Sequence, residues 1–155
     1  MKNLFILTGS INSGKTTKLM QWAVVQKNID GIFQPVIDDK RFIYHISSRT
    51  LKILETTKTK PENEIIIIGK YKFRKSVFDW AQSILIDCLG KKFDWIIIDE
   101  IGPLELEGKG LEPTISKIFN EIDKLNANVL CVVRDSILEK FVKHYKLENK
   151  YELVN

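Results

Sequence analysis

The chain has 155 residues, of which 44% are hydrophobic and 28% charged, a globular balance with enough apolar material for one sheet buried between helices. Its formal net charge is +4, but the lysines are scattered and pairs such as Lys91-Lys92 are short, which reads as a solvated surface; no nucleic-acid motif accompanies it. Cys88 and Cys131 sit in apolar segments without metal-ligand spacing, which argues against a disulfide scaffold or a zinc site and predicts buried, reduced thiols in a cytosolic protein.

Leu4-Phe5-Ile6-Leu7 reads as a buried strand, too short for the apolar stretch of an export signal. The glycine-bearing segment Gly9 to Thr16 follows. A helix is expected from Thr16 to about Lys27, with Leu19, Met20, Ala23 and Val24 inward and Asn28 and Gly31 marking its end. From Ile32 to about Glu55 short β-type runs recur (Ile32-Phe33, Val36-Ile37, Phe42 to Ile46, Thr50 to Leu54), with a turn at Asp38-Asp39. They predict one or more antiparallel hairpins. Thr56 to Glu64, polar and containing Pro61, reads as a loop.

Ile65 to Ile68 is the next strand, with antiparallel neighbours. A helix follows from about Lys75 to Leu89, its stripe formed by Val77, Phe78, Ala81, Leu85, Cys88 and Leu89, and Gly90 stops it. Trp95-Ile96-Ile97-Ile98 is apolar throughout, as a strand covered on both faces in a parallel sheet must be, and it ends in Asp99-Glu100. Gly102-Pro103 breaks regularity, and Gly108 and Gly110 lie in a loop. Ile115, Ile118, Phe119, Ile122 and Leu125 mark another helix, and Val129 to Val133 another strand. Ser136-Ile137-Leu138-Glu139 has the form of a capping box opening a last helix, and Tyr151 to Val154 suits an edge strand. No run is long enough to span a membrane. The order predicts a single domain, residues 1–155, with a three-layer α/β fold. Its sheet is mostly parallel with right-handed crossovers and an inserted β-hairpin region.

Gly9-Ser10-Ile11-Asn12-Ser13-Gly14-Lys15-Thr16 matches G-x-x-x-x-G-K-[ST]. Gly9 and Gly14 permit backbone angles that other residues resist, so the loop wraps an anion with its N–H groups inward, backed by the positive end of the following helix. Lys15 then supplies charge to the β- and γ-phosphates of a nucleoside triphosphate, the Thr16 hydroxyl a ligand for Mg²⁺, and Thr17 a contact to the α-phosphate. At the end of the apolar strand, Asp99 is placed to hold the same Mg²⁺, and Glu100 to orient and deprotonate a water aimed at the γ-phosphate. Arg134, following another apolar strand, is expected at the same sheet edge, where it would stabilise charge on the transferring phosphoryl group; Arg41 and Lys70 are weaker candidates for that role. His45 and His144 lack partners at ligand spacing. Trp22, Trp80 and Trp95 read as packing.

The run Asp99-Glu100-Ile101-Gly102-Pro103-Leu104-Glu105-Leu106 resembles the D-E-x-G-x-x-E-L signature of the THEP1-type nucleoside triphosphatases, and Gly69-Lys70-Tyr71 resembles a G-K-Y segment of that family. The resemblance implies a RecA-like P-loop fold and hydrolysis of nucleoside 5′-triphosphates such as ATP and GTP to diphosphates, with broad base tolerance. It casts Lys15 and Thr16 as phosphate and magnesium residues, Asp99 as the magnesium carboxylate and Glu100 as the base. Glu105 either braces this loop or caps a turn. The chain departs from the family where Gly31 to Arg41 replaces a threonine–glutamate–arginine segment. Two rival functions stay open: a P-loop kinase acting on a small molecule such as a nucleoside, and a nucleotide-gated binding module whose Ile32–Glu55 region contacts a partner.

Overall fold

The computed structural model of the chain describes residues 2–10, 14–57 and 64–154. Ten strands and five α-helices follow in order: β1 (Leu4–Gly9), α1 (Lys15–Val24), β2 (Ile29–Phe33), β3 (Val36–Ile37), β4 (Lys40–His45), β5 (Thr50–Ile53), β6 (Ile65–Ile68), β7 (Tyr71–Arg74), α2 (Lys75–Leu89), β8 (Trp95–Ile98), α3 (Pro103–Leu106), α4 (Thr114–Asn120), β9 (Asn128–Arg134), α5 (Leu138–His144) and β10 (Glu152–Val154), all among the described residues. The main sheet runs β10-β1-β9-β8-β2-β4-β3, with β5 on the free side of β4. From β10 to β2 every pairing is parallel; β4 is antiparallel to β2, β3 and β5. The separate hairpin β6–β7 is tied to the sheet by a bridge from Glu55 to Phe73.

Alternation along the strands builds two cores. Ile96 and Ile98 of β8 join Val129, Cys131 and Val133 of β9 on the face covered by α2, α4 and α5. Ile97, Leu130 and Val132 point the other way, against Leu19 and Ala23 of α1. With helices on both sides of a mostly parallel sheet, this is the three-layer α/β fold expected. Burial pushes the Cys88 thiol up to about 12 and the Cys131 thiol higher still, so neither is a reactive thiolate at neutral pH. No helix among the described residues is long and apolar enough to cross a membrane.

Several local expectations are corrected. Ile32-Phe33 belongs to a central strand that starts at Ile29 and lies parallel to β8, with Gly31 opposite Ile97. Gly31 therefore ends no helix. It has φ +130, and a Cβ there would lie 2.1 Å from the Ile97 carbonyl oxygen, so β2 reaches β8 only because the side chain is missing. Helix α1 stops at Val24, which is 82% exposed rather than inward, because the helix meets the sheet along Leu19 and Ala23 and Val24 lies a further 100° round. Ser136 sits inside a 3₁₀ turn, Asp135–Ile137, instead of capping a helix, and α5 begins after it. The strand β7 was not expected at all. Residues 58–63 of the Thr56–Glu64 loop lie outside the described residues.

Candidate active site

Parallel strands bring their carboxyl ends to one edge of the sheet, where α/β proteins hold ligands. Here β1, β9 and β8 are adjacent, and Gly9 pairs in register with Arg134, so the glycine loop, Arg134 and Asp99-Glu100 leave neighbouring strands on the same side. Gly14 precedes α1 in the left-handed region at φ +80, with open space where a Cβ would stand; the dihedral, not crowding, demands glycine. Its carbonyl accepts the Lys18 N–H at 3.0 Å, closing the first turn of a helix that contains Lys15, Thr16 and Thr17. The Lys15 ammonium donates to the carbonyls of Gly9 and Ser10, which holds its charge over the loop. Ile11, Asn12 and Ser13 lie outside the described residues.

The Thr16 hydroxyl donates to Asp99 Oδ2 at 2.9 Å. That oxygen also accepts the backbone N–H of Gln34 at 2.9 Å. The carboxylate is fully buried, and its Oδ1 has no hydrogen-bond partner among the described residues. Burial raises its pKa to about 6, against the pull of the Gln34 and Thr16 bonds and of the Arg41 charge. A buried carboxylate oxygen with a free lone pair beside a threonine hydroxyl is a hard-oxygen arrangement that suits a divalent cation or its bound water. No group of three or more acidic, histidine or cysteine side chains among the described residues is placed to hold a metal.

Glu100 takes the left-handed region, at φ +63, a strained position for glutamate that costs about 1–3 kcal/mol. The twist parts it from Asp99: its Oε1 accepts Arg134 Nε–H at 2.9 Å, with both side chains partly open to solvent. Gln34, at the end of β2, donates its amide to the carbonyls of Asp99 at 3.1 Å and Glu100 at 3.3 Å, pinning both residues from behind. Sequence reading missed Gln34. The only signal was a polar residue directly after Ile32-Phe33, informative once that strand is set beside β8.

Glu105 is 3% exposed and holds the N–H groups of Gly102 at 2.7 Å and Leu111 at 2.9 Å. Burial lifts its pKa to about 7 despite those donors. Gly110, at φ +66, makes room for it, since a Cβ there would stand 2.0 Å from Glu105 Oε2. The two glutamates of the D-E-x-G-x-x-E-L run thus face different surroundings: Glu100 opens to the site, and Glu105 ties down the loop that carries it.

The family model described as NTPase matches residues 4–155. The chain belongs to the NTPase family. Its activity is that of a nucleoside triphosphatase, and its likeness to the THEP1-type members is borne out. The fold of this NTPase is similar to that of THEP1 from the hyperthermophile Aquifex aeolicus, at a TM-score of 0.75 and 22% identity over 98% of this chain and 88% of that one. It is also similar to a human cancer-related nucleoside triphosphatase in its solution structure, at a TM-score of 0.66 and 18% identity over 100% of this chain and 88% of that one. No curated protein matches the NTPase.

Of the weaker sequence candidates, Arg41 of β4 and Lys70 between β6 and β7 line a cavity bordered by Glu100 and Arg134. His45 stands away from this edge, paired with buried Asp30 at 3.1 Å. His144 lies against the Tyr145 ring. Trp95 packs on both Trp22 and Phe5.

Proposed function

We propose that the chain hydrolyses nucleoside 5′-triphosphates, ATP and GTP among them, to the diphosphate and phosphate with Mg²⁺, working as a single-domain enzyme of the cytosol. The observation that carries the reading is the Thr16–Asp99 hydrogen bond of 2.9 Å, which joins the glycine loop to the acidic strand end. In this reading Gly9 to Thr17, including Ile11, Asn12 and Ser13, surround the phosphates with N–H groups, and Lys15 places its charge at the β- and γ-phosphates. Thr16 and Asp99 hold the cation, whose contribution when bound is to neutralise the phosphate oxygens.

Glu100 is the residue left to handle the proton. Its carboxylate orients a water toward the γ-phosphorus and takes the proton as the oxygen bonds to phosphorus and the diphosphate departs. The Arg134 Nε–H fixes the orientation of that carboxylate, and the guanidinium's other donors remain for charge on the transferring group. The loop N–H groups and Lys15 grip phosphates and ignore the base, which supports broad base tolerance.

Phosphate release with ATP, GTP, CTP and UTP plus Mg²⁺ tests this. Glu100→Gln keeps the shape and removes the proton acceptor. Its turnover is expected to fall about 10²–10⁴-fold while binding of a fluorescent nucleotide persists. Wild-type turnover that matches the variant's would remove Glu100 from the chemistry, and no release from any nucleotide would overturn the magnesium-dependent reading.

A further inference from the structure

The cavity beyond Glu100 is far larger than one attacking water needs. It measures about 760 Å³, against roughly 30 Å³ of liquid per water molecule, and falls within the range of small-molecule sites. Its described lining includes Glu100 and Arg134 but no residue of the glycine loop. The carboxylate read above as the base is part of the cavity wall, paired there with Arg134. One wall is a flat aromatic surface. Tyr71 and Phe73, two apart on β7, hold their rings within 2° of parallel at 6.1 Å, and Phe78 braces Phe73 edge-on at 5.9 Å. Tyr71 is 45% exposed, and the Lys70 ammonium lies over its ring, 5.4 Å from the centroid, so a planar ligand that stacks there takes the place of a flexible lysine head.

The charges around the wall balance. Arg41 and Lys70 share the lining with Asp39 and Glu55, while Glu100 and Arg134 neutralise each other. Glu105 is committed to backbone N–H groups. Such a site offers no net attraction to a strongly charged ligand. It offers a stacking face, hydrogen-bonding groups of both kinds, and a general base at its inner end.

Resting on the reading of Glu100 as the base, we infer that this cavity binds a nucleoside as a second substrate and that the chain transfers the γ-phosphoryl group of ATP to a nucleoside hydroxyl. The base of the nucleoside stacks on Tyr71 and the sugar hydroxyl meets Glu100. The hydroxyl proton passes to Glu100. The hydroxyl oxygen bonds to the γ-phosphorus as the bond from that phosphorus to the β–γ bridging oxygen breaks, and ADP leaves with the electron pair. The products are ADP and a nucleoside monophosphate, and Glu100 returns its proton to solvent.

The test supplies γ-labelled ATP and Mg²⁺ with adenosine, guanosine, cytidine, uridine or thymidine, and follows free phosphate and labelled nucleoside monophosphate separately. Calorimetric titration of each nucleoside into the ADP-bound protein gives an independent measure of binding. At least one nucleoside is expected to take up label and to lower phosphate release in proportion. Tyr71→Ala is expected to raise the KM for that nucleoside about tenfold, the loss of one stacking face, with ATP hydrolysis in its absence unchanged. Phosphate release that continues with no labelled nucleoside and no nucleoside heat overturns the acceptor site and leaves the hydrolase standing. Transfer that is indifferent to Tyr71→Ala overturns this cavity as its place. Absence of both release and transfer overturns both readings.

Discussion

The parallel half of the sheet and its antiparallel annex differ in what they bury and what they present. Strands β1, β8 and β9 are covered on both faces, and their ends deliver the glycine loop, Asp99, Glu100 and Arg134 to one edge. In the annex, Val36, Ile37, Leu51, Ile67 and Tyr71 are all more than 40% exposed. Its residues Arg41, Lys70 and Tyr71 reach the site from the side, lining a cavity instead of a phosphate loop. In the reading proposed above, phosphate chemistry falls to doubly packed strands, and the choice of what meets the phosphate falls to short, half-exposed hairpins.

The seam between the halves is where that division breaks most easily. Gly31→Ala forces a Cβ into the β8 backbone and is expected to cost about 3 kcal/mol or more, seen as loss of the cooperative thermal transition; a normal melting curve would mean that β2 and β8 need no such close approach. Within the parallel half, Arg134→Ala frees the Glu100 carboxylate. Turnover is expected to fall about 10²-fold with little change in thermal midpoint, and unchanged turnover would end its role.

Glu105 gives the parallel half a pH signature. Its folded pKa of about 7 lies above its usual 4.5, so between those values the folded chain keeps a proton that the unfolded chain has lost. Its contribution to stability is therefore present below pH 4.5 and is lost as pH rises through 7. The urea midpoint of the wild type is expected to drop more between pH 5 and pH 8 than that of Glu105→Gln, and equal drops would show that the carboxyl is solvated. In the annex, Leu51→Thr at an exposed position of β5 is expected to shift stability by no more than about 0.5 kcal/mol, with turnover unaltered; a larger change would mean that the annex is packed like the core.

Sequence showed the parallel half more clearly than the annex, for physical reasons. Trp95 to Ile98 and Val129 to Val133 are apolar without interruption, and only a strand covered on both faces needs that. The loop pattern and the acidic pair are local in sequence, so their meeting at one edge followed from the order of strands and helices. Gly31 and Gln34 were opaque because they depend on β8 and on the Asp99-Glu100 pair just after it, more than sixty residues away. The strand β7 is four residues long and adjoins the much stronger helical stripe that begins at Lys75. Hairpin partners in the annex were likewise foreseeable only as a class, since short half-exposed strands leave their register weakly marked.

The position of β1 in the sheet also sets an order of assembly. Its two neighbours are β9 and β10, with Leu4 beside Val129 and Phe5 beside Leu130 and Glu152. Asn3, just ahead of it, donates its side-chain amide to the carbonyls of Ile122, Leu125 and Ala127. β1 is thus flanked by two strands that lie far behind it in sequence. During synthesis on the ribosome the glycine loop emerges early, yet the strand that aims it has no partner until residue 134 is free and is not enclosed until residue 154 follows. A nascent chain halted before β9 carries the whole phosphate-binding motif and neither of the strands that flank β1.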